Sequence, residues 1–574
     1  MYLTAPTTLP EYLSCYAESI PEATGFTFLA NGEHEETSWT FADLHCRAQA
    51  VAAYLQDQGL APQTPVALIF QPGLYFLAAF FGCLYAGTIA VPVYPIKRRE
   101  EIDLISSILA ACGAKPMIID HATYQVLKRL QGDKPFPWNV HIIDEIINGE
   151  AVDRWAGAYR WHRTCPDDIA FLQFTSGSTA NPKGVIISHA NILDNQKVIL
   201  DGFGHGDHTT VLGWLPFYHD MGLVGNVMQP LFLGRPCILM SSTAFIQKPI
   251  RWLQAIGRYG ATTSGGPNFA YDLCAKSITD EQIERLGGLR LDSWQVAFTG
   301  AEPVRAETLD QFAERFSPYG FKRSAFYPCY GMSETTLMIT GIELSAGLRV
   351  IDVDIDSLQQ GKAVASSADS PAKRVVSCGL PRNGNKVYIV DPETNRQLPE
   401  SRVGEIWVQG GSIAQGYWKD ETLNASQFRA CSPDFPGMYF LRTGDLGFSL
   451  EGEIYVTGRL KALIILNGKN HYPQDIEGMV QVLHPAFRPQ TAVFQDGDED
   501  GHVVLVQEVF THLASKIDSE RIKALIRKCV VSSHGVMLHD VVLTTSRIPI
   551  TTSGKLKRAA CRDAWRAGEL SIVV

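Results

Sequence analysis

The twelve cysteines of this 574-residue chain include no C-x-x-C pair. That spacing argues against a zinc knuckle, a redox dithiol or a disulfide framework, and scattered thiols suit a reducing cytosol. A cytoplasmic location is therefore expected. A basic field is also missing: 50 Lys and Arg stand against 60 Asp and Glu, for a net charge of −10. A general nucleic-acid binder would need the opposite balance. The first residues lack a basic region followed by an apolar core, so no secretory signal is expected. One apolar stretch, residues 74–93, approaches the length of a membrane span. Gly82, Gly87 and Pro92 interrupt it, which predicts a buried helix ending near Gly87 and then a strand through residues 89–91. No internal repeat, low-complexity tract or Gly/Ser linker is evident.

What is present reads as an ordinary globular composition, 45% hydrophobic and 19% charged, in a chain long enough for about three to four lobes. Thr40 is placed to cap a helix over residues 41–58, with Phe41, Leu44, Ala48, Val51, Ala52 and Leu55 on one face. Residues 66–70, 117–119 and 140–143 read as short buried strands. Strand–helix alternation continues to about residue 330, which predicts mostly parallel sheets with helices on both faces. After Glu334 the pattern changes to short strands at 386–390, 404–408 and 453–456, a smaller β-rich lobe. Beyond Arg459 it changes again. A helix starts at Tyr472, a strand covers 491–494, and Ser519 can cap a helix burying Ile522, Leu525, Ile526 and Cys529.

Residues 174–184 hold Thr175, Ser176, Gly177, Ser178, Thr179 and Lys183 in a loop after the apolar run 169–172. Hydroxyls, free backbone N–H groups and one ammonium suit a polyphosphate. It is not a Walker A loop: Pro182 precedes the lysine, and no Ser or Thr follows it. Alone, the stretch could also be a Ser/Thr-rich surface loop, the lesser of the two readings. Downstream come Thr299-Gly300-Ala301-Glu302-Pro303, Tyr330-Gly331-Met332-Ser333-Glu334-Thr335, Thr443-Gly444-Asp445-Leu446, Gly458-Arg459-Leu460-Lys461 and Pro549-Ile550-Thr551-Thr552-Ser553-Gly554-Lys555.

These motifs, in this order, resemble the adenylate-forming superfamily of acyl-CoA synthetases, peptide-synthetase adenylation domains and luciferases. The resemblance covers nearly the whole chain. It implies an α/β architecture with a large N-terminal domain, residues 1–458, of doubly wound sheets plus a small β-rich lobe. A small mobile α+β C-terminal domain, residues 459–574, would follow. It implies ATP and Mg²⁺ as cofactors. The chemistry brings two anions together, because a carboxylate oxygen attacks the α-phosphorus as pyrophosphate leaves. Charge must therefore be screened and the atoms aligned.

By the same resemblance, Thr175, Ser176, Gly177, Ser178, Thr179 and Lys183 bind the leaving phosphates, and Glu334 and Thr179 hold the metal. Gly300, Ala301, Glu302, Tyr330, Gly331, Met332 and Ser333 wall the adenosine. Asp445 accepts from the ribose hydroxyls, and Arg459 contacts ribose or phosphate. Lys555 is the catalytic lysine, bridging the acyl carboxylate and the α-phosphate. Lys461 is the hinge, where rotation would exchange an adenylating face for a thiol-accepting one. Ala462 departs from the acidic residue usual beside it.

The subclass rests on two further segments. Residues 215–223, with His219, Asp220, Met221 and Gly222, resemble the acyl-pocket motif of fatty acyl-AMP ligases. There His219 would lie near the substrate carboxylate and Asp220 behind it, and the apolar run 224–233 would wall a tunnel. A satisfied core histidine is the other reading of His219. Residues 342–376 resemble the insertion that separates these enzymes from fatty acyl-CoA ligases. Ile351, Val353 and Ile355 alternate there with aspartates as in a half-exposed strand. The resemblance implies a fatty acid as substrate and transfer to the phosphopantetheine thiol of an acyl carrier protein. Carrier proteins are acidic. A basic face from Arg521, Lys523, Arg527, Lys528, Lys557, Arg558, Arg562 and Arg566 would meet them. A fatty acyl-CoA ligase and a non-catalytic acyl-nucleotide sensor are the alternatives.

Overall fold

The computed structural model describes residues 5–132, 136–175, 182–367, 370–497, 501–551 and 554–573. Local chemistry sets many of its elements. Helix Phe41–Asp57 begins in a capping box, with the Thr40 hydroxyl accepting from the Asp43 N–H and the Asp43 carboxylate accepting from the Thr40 N–H. This satisfies two otherwise orphaned donors. Its predicted apolar face is buried. Helix Leu74–Ala86 is buried all round apart from Tyr75, as a helix without a polar face must be. Each of its buried Phe and Leu side chains stabilises the fold by about 1.5–3 kcal/mol. Gly87 ends it at φ 73°, a left-handed conformation that favours glycine. Strand Ile89–Val93 follows, with Pro92 inside it.

That strand belongs to a six-stranded sheet in the order Asn139–Ile142, Pro116–Ile119, Pro65–Ile69, Ile89–Val93, Ile169–Thr175, Lys183–Ser188. All neighbours are parallel except the last pair. A nine-stranded sheet is parallel through its centre, including Cys237–Met240, Val211–Gly213, Thr263–Gly265, Val296–Thr299 and Phe326–Gly331. Its edges turn antiparallel, with Glu36–Thr40 at one side and Met338–Gly341 followed by Leu380–Pro381 at the other. The β-rich lobe is a four-stranded antiparallel sheet, Lys386–Val390, Gly404–Gln409, Leu441–Leu450 and Glu453–Arg459. Residues 464–573 build cores of their own on the strands Phe487–Asp496, His502–Val509 and Leu538–Thr544.

Several expectations are corrected. The segment 174–184 is less of a loop than predicted. Phe174 pairs with Gly184 and Thr175 with Lys183 as rungs of an antiparallel hairpin. Ser176, Gly177, Ser178 and Thr179 lie outside the described residues. The 351–355 alternation stops one residue early. Strand Val350–Asp354 pairs with Ala372–Val376, and Asp354 turns its carboxylate to the Ser357 N–H and starts the short helix Ile355–Gln359. Helix Ser519–His534 is capped by Asp518 rather than Ser519, and its buried apolar residues are Ile522, Ile526 and Val530. Leu525 is 39% exposed, because it lies on the opposite face.

Candidate active site

A cleft of about 2950 Å³ opens between the large lobe and the small C-terminal lobe. Its large-lobe wall is built at strand ends. Asp220 follows a turn and caps Met221–Met228, a π-helical turn of the kind found mostly at functional sites. One Asp220 oxygen accepts from the Met221 N–H at 2.7 Å and lies 2.7 Å from His219 Nδ1. The other accepts from the Ser333 hydroxyl at 2.6 Å. Burial alone would raise this carboxyl. The neighbouring imidazole, the Ser333 hydroxyl and the charge of Lys555 outweigh burial and hold it well below the usual carboxylate range.

Glu334 sits in a short helical turn, Ser333–Thr335, after the strand Phe326–Gly331. Its Oε1 accepts from the Tyr417 hydroxyl at 2.7 Å. Burial pushes its carboxyl upward, an effect partly offset by Tyr417 and by Arg459. Its second oxygen accepts no hydrogen bond among the described residues. Lys183, on the hairpin strand, places its ammonium 5.2 Å from the Tyr417 ring centre. Asp445 stands in register with Arg459 on adjacent strands. Its oxygens accept from Arg459 Nε at 2.8 Å and from the Tyr330 hydroxyl at 3.0 Å. A carboxylate has about four acceptor sites, so further bonds can form there. Asp445 in turn raises the Arg459 guanidinium above its ordinary value despite desolvation. Gly331 is required by packing: a Cβ there would meet the Leu337 carbonyl oxygen at 1.7 Å.

Gly300, Ala301, Glu302, Met332 and Ser333 line the same cleft. So does Lys461, in the turn Leu460–Ala462 that leads into the small lobe. Lys555 enters from that lobe. Its turn is closed by the Thr551 N–H donating to the Lys555 carbonyl and the Lys555 N–H donating to the Thr551 hydroxyl. One expected residue and one expected run fall elsewhere. Gly222 does not line the cleft, because it packs on the Leu215 and Pro216 backbone, 2.1 Å from where a Cβ would stand. The run 224–233 is mostly core: Val224, Val227, Met228, Leu231 and Phe232 are buried, and only Gly225 of that run faces the cleft. The apolar lining comes instead from Ile199 and Phe203, one turn apart on helix His189–Phe203, and from Trp214, Phe298, Leu337 and Met338, stretches far apart in the chain that only the fold brings together. Tyr417 was likewise invisible, since it meets Glu334 across 83 residues of chain.

The 342–376 segment touches both lobes. Arg374 pairs with Asp310 at 2.9 Å on the large lobe. Lys373 pairs with Asp475 at 2.6 Å and lies 4.7 Å from the Tyr472 ring centre on the small one. The basic face is thinner than expected. Arg558 donates twice to buried Glu477, Arg566 binds Asp496, Lys523 binds Glu520 and Arg562 lies by Asp563.

Two sheets, a β-rich lobe and a small α+β lobe bringing a lysine to their shared cleft make up the fold of an adenylate-forming enzyme. Comparison with known proteins agrees. A family model described as AMP-binding enzyme matches residues 16–418, and one described as Disco-interacting protein 2-like, AMP domain matches 461–574. The chain is 38% identical to the medium-chain-fatty-acid–[acyl-carrier-protein] ligase JamA of Moorena producens, covering 95% of this chain and 93% of that one. It is 33% identical to the long-chain-fatty-acid–AMP ligase FadD26 of Mycobacterium bovis, with 97% of each covered. The crystal structure of a fatty acyl-adenylate ligase from L. pneumophila with acyl adenylate and pyrophosphate superposes with a TM-score of 0.77 at 36% identity, covering 99% of this chain and 97% of that one. The chain belongs to the AMP-binding enzyme family, in its fatty acyl-AMP ligase branch. Membership implies ATP as the nucleotide substrate. Among the described residues no helix is long and apolar enough to cross a membrane.

Proposed function

We propose that this chain joins a fatty acid to the AMP moiety of ATP, releasing pyrophosphate, and then passes the acyl group to the phosphopantetheine thiol of an acyl carrier protein. The observation that carries this reading is the meeting of Lys555 with Asp220, Glu334 and Asp445 in one cleft. In the first half-reaction a carboxylate oxygen bonds to the α-phosphorus while the bond to the departing pyrophosphate breaks. Lys555 offsets the charge that accumulates there; a well-placed donor of this kind is worth about 10²–10³ in rate. His219 orients the fatty-acid carboxylate. Asp220, ionised and bonded on both oxygens, fixes the ring by its Nδ1 side and leaves Nε2 for the substrate. Asp445 and Arg459 hold the ribose, with Tyr330 and the 300–302 turn beside the base. The 175–179 segment and Lys183 receive the phosphates.

The Glu334 oxygen that does not accept from Tyr417 fits a hard cation that completes its shell with phosphate and water. Bound there, Mg²⁺ would neutralise phosphate charge. In the second half-reaction the thiol sulfur bonds to the acyl carbon, the bond to AMP breaks and the thiol proton passes to solvent. The names of the relatives support a carrier protein as acceptor, and so does the ion-paired 342–376 segment. All twelve cysteines are thiols, which supports a cytosolic setting. The test is mass spectrometry of products from MgATP and fatty acids of graded length, with CoA or phosphopantetheinylated carrier protein. Acyl-adenylate and acyl-carrier protein are expected. Efficient acyl-CoA formation would transfer the reading to a CoA ligase, and no pyrophosphate exchange at all would end it.

A further inference from the structure

Helix Ser519–His534 turns Ile522, Ile526 and Val530 into the small-lobe core. The opposite stripe, Arg521, Ala524, Leu525, Lys528, Val531 and Ser532, is exposed. The outer face of an amphipathic helix is ordinarily polar. Here two aliphatic side chains, Leu525 at 39% and Val531 at 47% exposure, stand in solvent beside two cations. Neither Arg521 nor Lys528 has an acidic side-chain partner among the described residues. Of the other cations named for this lobe, Lys523, Arg558, Arg562 and Arg566 each have an acid within ion-pair reach, while Arg527 and Lys557 are half-buried. The helix's only acid within its first turn, Glu520, is held by Lys523 at 2.8 Å.

The stripe is thus apolar and positive, on a chain whose net charge is −10. The helix packs on strand Leu538–Thr544 and helix Pro473–Gln481, both within the small lobe, and that packing leaves the stripe uncovered. Its last residues, Ser533 and His534, reach the cleft mouth, where Val482 is also exposed.

We infer that this stripe is the docking face for the acyl carrier protein; the inference rests on the reading given under Proposed function. Two acidic proteins repel on approach, and a local positive strip steers the acidic partner past that repulsion. Leu525 and Val531 give the contact an apolar centre with cations at its sides, the usual anatomy of a protein interface. A carrier seated here holds its thiol arm beside the opening of the cleft.

The test compares the wild type with Arg521→Glu/Lys528→Glu and with Leu525→Ala/Val531→Ala. Three rates are followed: ATP–pyrophosphate exchange with a fatty acid, acyl transfer to a phosphopantetheinylated acyl carrier protein at low salt, and acyl transfer to free pantetheine. Charge reversal is expected to lower kcat/KM for the carrier by about tenfold or more, with a smaller loss for the alanine pair. Exchange and pantetheine transfer should stay near wild type, which also shows that the variants fold. Unchanged carrier loading overturns the docking face, as does an equal fall with pantetheine. A wild type that makes acyl-adenylate yet never loads a carrier defeats instead the reading beneath it.

Discussion

The two sides of the cleft carry charge in opposite ways. On the large lobe Asp220, Glu334 and Asp445 are each at most 8% exposed and already hydrogen-bonded. On the small lobe Lys555 is exposed, and its ammonium makes no hydrogen bond or ion pair among the described residues. Buried, pre-bonded groups need no reorganisation when substrate arrives, which is where electrostatic catalysis draws its strength. An unpaired lysine would break no bond if its lobe withdrew. The stationary wall is stiff and the arriving charge is free, an arrangement that suits two half-reactions sharing one site.

The sharpest way to test that contrast is to remove the arriving charge. Lys555→Ala should lower ATP–pyrophosphate exchange by about 10²–10³-fold while leaving the denaturant midpoint unchanged, since nothing rests on the side chain. Near-normal exchange would remove Lys555 from the chemistry. Next in size is Arg558→Ala, aimed at a place where the small lobe resembles the large one. Glu477 is 4% exposed and loses both bonds to Arg558. An uncompensated buried carboxylate costs about 3–5 kcal/mol, so the small lobe should unfold earlier in denaturant, as followed by proteolysis within residues 464–573. A shift below about 1 kcal/mol would mean water already reaches Glu477.

A third prediction concerns acid. In the large lobe, burial lowers His189 to about 4 and His205 to about 3, from an ordinary 6.5. Between pH 6.5 and 4 the unfolded chain binds protons that the folded chain refuses, so stability falls as pH falls. Each histidine contributes a slope of at most about 1.4 kcal/mol per pH unit. Denaturation of wild type and His189→Gln across that range should show a shallower slope for the variant. Equal slopes would mean that His189 is hydrated in the folded protein.

Legibility in the sequence followed the distance over which each feature is decided. The Thr40 cap, the Gly87 helix end and the buried 74–86 helix depend on neighbours within a turn and were readable. The Asp518 cap was missed by one residue because Asp and Ser are both good caps. The 351–355 alternation misled because Asp354 serves a helix as readily as a strand. Candidate site residues were legible as motifs, but their partners were not. Ser333 bonds to Asp220 across 113 residues and Arg558 to Glu477 across 81. Counting charge along residues 521–566 therefore overstated the basic surface, because sequence lists cations without showing which are already paired.

The smallest expected effect probes the seam between the two sides. Lys373 of the 342–376 segment reaches Asp475 and the Tyr472 ring, while its neighbour Arg374 is tied to Asp310. That pair of adjacent residues links the lobes in the pose that brings Lys555 to the cleft. The Lys373–Asp475 pair is partly exposed, at 21% and 26%, so its worth is about 0–1 kcal/mol. A bond of that size shifts the balance between lobe poses by about fivefold at most. Lys373→Ala should accordingly lower pyrophosphate exchange a few-fold and raise the small yield of acyl-CoA from CoA by a similar factor, because the freed lobe spends more time turned away. The two changes must move in opposite directions. A fall in both would indicate damage to the cleft itself, and no change in either would reduce the contact to an ordinary surface ion pair.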